Sequence, residues 1–176
     1  ETGLTFAAGL RAILRQDANV IFVGEIRDQE TADIAVRAAL TGHMVFSTLH
    51  TRHSFGAILR LMDMGIEPHL IVGAINGVMA QRLVRTMCQK CMMEDREGAE
   101  IFARLWKKET GREPVTTAGP LRFNKSSGCT ACNHTGFQGR TGIFELFIPN
   151  EEMKRCIIER DTRQLYKIAV AGGMTT

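Results

Sequence analysis

Apolar residues near the start of the chain recur at helical spacing. Leu4, Phe6, Leu10, Ile13 and Leu14 predict an amphipathic helix over residues 5–16, with Arg11 and Arg15, four apart, sharing another of its faces. Val20-Ile21-Phe22-Val23 follows, four β-formers without alternation, which predicts a strand of a parallel sheet buried on both faces. Asp28 is placed to cap a helix running to about Leu40, with Glu30 favourable in its first turn and Gly42 as its C′ residue. Met44 to Leu49 then reads as a second strand. Strand, helix, strand is a βαβ unit with an expected right-handed crossover, so the fold class is α/β. Beyond it the pattern predicts two helices over 53–64 and 67–85, separated by Gly65 and Pro68, and a charge-alternating helix over 92–113. Gly111 to Gly128 reads as a loop, Ile143 to Ile148 as a strand, and Glu151–Glu159 and Thr162–Ala171 as two short helices.

Composition narrows the picture. The 176 residues are 44% hydrophobic and 23% charged, as in an ordinary soluble domain. Lys plus Arg is 22 against 19 acids, and no basic stripe of the sort that binds nucleic acid stands out. The most apolar stretch, His69 to Ala80, is interrupted by Gly73, Asn76 and Gly77 and falls short of the roughly 20 residues of a bilayer span, so no transmembrane segment is expected. The start, Glu1-Thr2-Gly3-Leu4, has no initiator Met, basic region or apolar leader and reads as an internal cut. Of the five cysteines, four form two Cys-x-x-Cys pairs, Cys88/Cys91 and Cys129/Cys132, which points to a metal in a reducing compartment rather than a disulfide framework. Two such pairs close a tetrahedron around one zinc with no open position, a structural Zn²⁺ site. His134 is an alternative ligand, four reduced buried thiols the metal-free alternative, and Cys156 reads as a core-facing helix residue.

Ligands of open α/β sheets collect at the carboxyl ends of strands. The first strand leaves through Gly24-Glu25-Ile26-Arg27-Asp28, and an apolar strand ending in an acid suits a carboxylate set beside magnesium and an attacking water. The alternative is a solvated turn with an ordinary N-cap, Arg27 pairing with Asp28. The second strand leaves through Ser47-Thr48-Leu49-His50-Thr51, where a γ-phosphate sensor would sit. Seven residues of strand at ~3.3 Å each separate His43 from His50 by roughly 23 Å, so His50 is assigned to the nucleotide and His43 to a helix-to-strand turn.

The runs Val20 to Asp28 and Thr41 to Thr51, with Gln81-Arg82-Leu83-Val84-Arg85 and Gly136 to Leu146, resemble the Walker B box, the histidine box and further segments of the secretion and pilus-assembly ATPases. The likeness covers nearly the whole chain, and the cysteine pairs resemble the assembly branch, type II secretion and type IV pilus extension, rather than retraction motors. It implies a RecA-like P-loop NTPase core in which Glu25 and His50 are catalytic and Arg11, Arg15 and Thr48 face the nucleotide. For the two arginines a solvated helix face is the alternative. It further implies ATP and Mg²⁺ as ligands, a homo-hexamer, an inner-membrane platform protein and cytoplasmic secretion components as partners, and a cytoplasmic location peripheral to the inner membrane. Gly24 stands where many P-loop enzymes have Asp. No Gly-x-x-x-x-Gly-Lys-Ser/Thr loop occurs in the sequence, so the chain is expected to be an incomplete core, inactive alone. The expected domains are residues 1–86, half of the ATPase core; 87–142, a tetracysteine zinc subdomain; and 143–176, a terminal strand and helices. A different class of reading is a zinc-ribbon module for nucleic acid or protein; a relative devoted to DNA uptake or conjugation is a further alternative.

Overall fold

A computed structural model describes residues 5–111, 113–114 and 122–172. In chain order the elements are α1 (Phe6–Ile13), β1 (Val20–Val23), α2 (Gln29–Leu40), β2 (Met44–Ser47), α3 (Gly56–Asp63), α4 (Pro68–Ala74), β3 (Val78–Met87), β4 (Met92–Glu94), α5 (Arg96–Thr110), β5 (Asn124–Ser126), β6 (Phe137–Phe147), α6 (Glu151–Ile158) and α7 (Thr162–Ala171). Leu4 and much of the predicted 111–128 loop lie outside the described residues; within that span, β5 pairs antiparallel with β4. None of the described helices is long and apolar enough to cross a membrane.

The chain divides into two compact units, residues 1–81 with 144–176 and residues 82–143. In the first, β1 and β2 pair in parallel, Val20 opposite Met44 through Val23 opposite Ser47. Helix α2 joins them as the pattern predicts. The Asp28 carboxylate accepts from the Thr31 N–H (2.8 Å) and its hydroxyl, and Gly42, at φ +103°, takes the left-handed conformation that ends the helix. Ile21 and Val23 enter a core formed with Ala32, Ala35, Ile58, Leu61 and Ile71 from α2, α3 and α4, and with Phe147, Met153, Cys156, Ile157 and Leu165 near the end of the chain. Cys156 is buried there, as its place on the helix predicts.

Two expectations are corrected. The β1 strand is buried on one face only: Val20 and Phe22 are exposed, the latter 71%, and so are their register partners Met44 and Phe46. That apolar face continues into a cavity of about 320 Å³ between α1 and β1, lined by Phe6, Leu10, Ile13 and Phe22. The second correction is that helix α4 stops at Ala74 and the rest of the predicted 67–85 helix is strand β3, paired with β6. Asn76 and Gly77 interrupt the helical run, and backbone pairing with β6 supplies what local periodicity does not. Strand β6 accordingly begins at Phe137, well before the predicted Ile143.

The second unit is built differently. Among its described residues the only buried apolar side chains are Cys88 and Cys132. Helix α5, capped by Asp95 and closed by Gly111 at φ +69°, buries none of residues 96–109 fully, although Phe102 stacks against Trp106 and meets Phe123.

Candidate functional site

Parallel pairing brings the carboxyl ends of β1 and β2 side by side. Beyond the strands the pairing is extended by the Ile26 N–H donating to the Thr48 carbonyl (3.0 Å) and the Thr48 hydroxyl donating to the Gly24 carbonyl (2.7 Å). Glu25 therefore leaves its strand opposite the histidine segment. Its Oε2 accepts from Arg27 Nε (2.6 Å) and from His50 Nε2 (3.1 Å). Both partners are largely exposed while the Glu25 side chain is 24% exposed. The Arg27 guanidinium first, and the His50 ring second, hold the Glu25 carboxyl below its ordinary range. The group is a carboxylate at neutral pH, able to accept a proton or ligate a cation.

The structure thus joins Glu25, His50 and Thr48. Arg27 pairs with Glu25 rather than with Asp28, because both Asp28 oxygens are engaged by Thr31 at the start of α2. Arg11, on α1, pairs with Glu30 on α2 (2.8 Å), and Arg15, in the turn after α1, donates from Nε to the Arg11 carbonyl (3.3 Å), so both arginines have other partners. His43 sits in the α2–β2 turn, its Nδ1 donating to the Ala38 carbonyl (3.1 Å), at the opposite end of β2 from His50.

In the second unit four sulfurs converge. Cys88, Cys91, Cys129 and Cys132 bring their Sγ atoms within 4.8 Å of one another, with separations of 3.9 Å for Cys88–Cys129 and Cys91–Cys132 and 3.8 Å for Cys129–Cys132. Zinc–sulfur bonds of about 2.3 Å in a tetrahedron require edges of about 3.8 Å. All four cysteines are free thiols, and His134 is not part of the group. A short 3₁₀ turn, Thr130–Cys132, shapes the second pair, and the Cys129 and Gly136 N–H groups donate to Cys132 Sγ (3.2 and 3.3 Å). Those donors lower the Cys132 thiol to about 6, whereas burial raises Cys129 to about 11. Gly128 is required here: φ is +82° and a Cβ would lie 2.6 Å from the His134 carbonyl oxygen.

Sequence reasoning missed Glu145. Its Oε1 accepts from the Ser54 N–H (2.6 Å) and the Ser54 hydroxyl, at the start of α3. The available signal was an acid within the otherwise apolar run Ile143 to Ile148.

Residues 1–175 match the family described as type II/IV secretion system protein. The chain belongs to that family. Among its relatives, the type II secretion system ATPase E of Vibrio cholerae is 52% identical over 157 residues, covering 88% of this chain and 29% of its own length. The type IV pilus assembly ATPase PilB of Thermus thermophilus is 44% identical over 177 residues, covering all of this chain and 19% of its own length. Among solved structures, the pilus retraction motor PilT with bound ADP matches with a TM-score of 0.60 at 29% identity, over 93% of this chain and 35% of its own. The chain thus spans between 19% and 35% of the length of these proteins.

Proposed function

We propose that this chain is the Walker B and histidine half of a RecA-like P-loop ATPase domain, in a protein that hydrolyses MgATP to drive pseudopilin or pilin assembly. The observation that carries the reading is the Glu25–His50 contact at the paired ends of two parallel strands, the place where an α/β sheet presents groups to a ligand. Glu25 orients or deprotonates the attacking water and helps hold magnesium, and His50 donates to the γ-phosphate. Thr48 locks the Gly24–Glu25 turn for the nucleotide, and Arg11 and Arg15 offer positive charge to the phosphates, Arg11 leaving Glu30 to do so. The uncovered apolar face of Val20, Phe22, Met44 and Phe46 supports an incomplete core, since parallel sheets are covered on both sides when the domain is whole. The phosphate loop is then supplied by sequence outside these 176 residues, and this chain alone lacks the phosphate cradle.

The tetracysteine group is proposed to hold one structural zinc. The donor set and sulfur spacing support this, and so does the scarcity of other buried apolar side chains among the unit's described residues. By family membership the whole protein is proposed to work as a cytoplasmic hexamer docked on an inner-membrane platform protein. Residues 1–86, 87–142 and 143–176 are proposed as its ATPase half, zinc subdomain and terminal segment.

The two histidines test the site. In the full-length enzyme, His50→Ala is expected to lower turnover and to weaken discrimination between ATP and ADP. His43→Ala, at the other end of β2, is expected to lower the melting temperature before it affects chemistry. Equal catalytic losses from the two, with stability unchanged, would contradict the assignment.

A further inference from the structure

The His50 side chain is 82% exposed, so its place beside Glu25 is set by the backbone that carries it rather than by packing. That backbone is held on both sides of His50. At residue 48 the Thr48 hydroxyl and carbonyl are bonded to Gly24 and Ile26. At residue 54, where Ser54 is fully buried, the backbone N–H and the hydroxyl both donate to Oε1 of Glu145, which lies 91 residues further along the chain. The other Glu145 oxygen faces His53 Nδ1 at 3.8 Å, and the Glu145 side chain is only 11% exposed. A carboxylate so placed is costly to bury unless donors meet it, and here they do.

The donors also belong to a particular location. Helix α3 begins two residues after Ser54; Phe55 at its N-cap offers no side-chain hydrogen bond, and its first turn contains no acid. The helix has no acid in its own first turn, and strand β6 sets the Glu145 carboxylate beside its start.

We infer that Glu145 is a positioning residue for the histidine segment: by fixing Ser54 at the head of α3, it works with the Thr48 tie to hold residues 49–53 so that His50 meets Glu25. The inference rests on the proposed role of His50 at the nucleotide. Truncating Glu145 removes both of the bonds that tie Ser54 to β6, and a displacement on the scale of an ångström is enough to cost a large factor in rate.

The test is a double-mutant cycle in the full-length enzyme, read by steady-state MgATP hydrolysis and thermal melting. Glu145→Ala is expected to lower kcat by ~10-fold or more with little change in KM. Glu145→Gln keeps an oxygen that accepts from Ser54 and is expected to retain most of the activity. The double variant Glu145→Ala/His50→Ala should be no slower than His50→Ala, because the placement of an absent imidazole has no further effect. Losses that multiply in the double variant would overturn the inference. So would a Glu145→Ala enzyme at full speed beside a slow His50→Ala, with the nucleotide role of His50 left standing; a His50→Ala enzyme at the parent rate would overturn both. Should Glu145→Ala not fold, Ser54→Ala removes one of the two bonds and takes its place in the cycle, its smaller loss again expected to vanish in the His50→Ala background.

Discussion

Glu25 carries two donors on one oxygen, and that arrangement sets how it responds to pH. Arg27 and, less strongly, His50 depress its affinity for a proton. Its charged form is therefore present at neutral pH and lost only as pH falls through a value below the ordinary carboxylate range. In the full-length enzyme, Arg27→Gln is expected to move the acid limb of the kcat profile upward in pH, toward an ordinary carboxylate; an unmoved acid limb would show that Arg27 does not govern this group. That Glu25 and His50 would lie side by side was legible in the sequence, because each comes within three residues of the end of its strand and the two strands run parallel. The partner of Arg27 was not, since the sequence cannot show that Thr31 occupies both oxygens of Asp28. Glu145 was hidden for a related reason: its partner Ser54 is 91 residues away, and only the packed chain brings them together.

Elements with strong local signals were read nearly to the residue. Helices α6 and α7 are capped by Asn150 and Asp161, whose side chains accept from the Met153 N–H (2.8 Å) and the Gln164 N–H (3.0 Å). Asn150→Ala is expected to cost about 1 kcal/mol, the scale of a lost N-cap, seen as a lower urea midpoint with unchanged slope. No measurable shift would mean that burial of Met153 and Ile157, not the cap, fixes the start of α6. Strand β3 was misread because its local pattern also fits a helix, and its partner β6 lies far along the chain. The β1 strand was right in kind and wrong in setting. An unbroken apolar run predicts two covered faces, whereas in this structure the Phe22 side of the sheet is bare.

At the scale of the whole molecule, the two units are stabilised by different means. Residues 1–81 with 144–176 hold an apolar core drawn from many elements, whereas the four thiols form the centre of residues 82–143. Purified without added metal, the protein is expected to contain one zinc per chain by elemental analysis, and a strong chelator should release it with loss of the ordered structure around α5 while the first unit keeps its helices. Metal-free protein with four titratable thiols and an unchanged spectrum would contradict the zinc assignment. The central claim is that the end of β1 presents the catalytic carboxylate of an ATPase, and Glu25→Gln in the full-length enzyme tests it most directly. The substitution keeps the shape of the site and removes the charge, so MgATP should still bind while steady-state hydrolysis falls by ~10² or more; hydrolysis at the parent rate would contradict the claim.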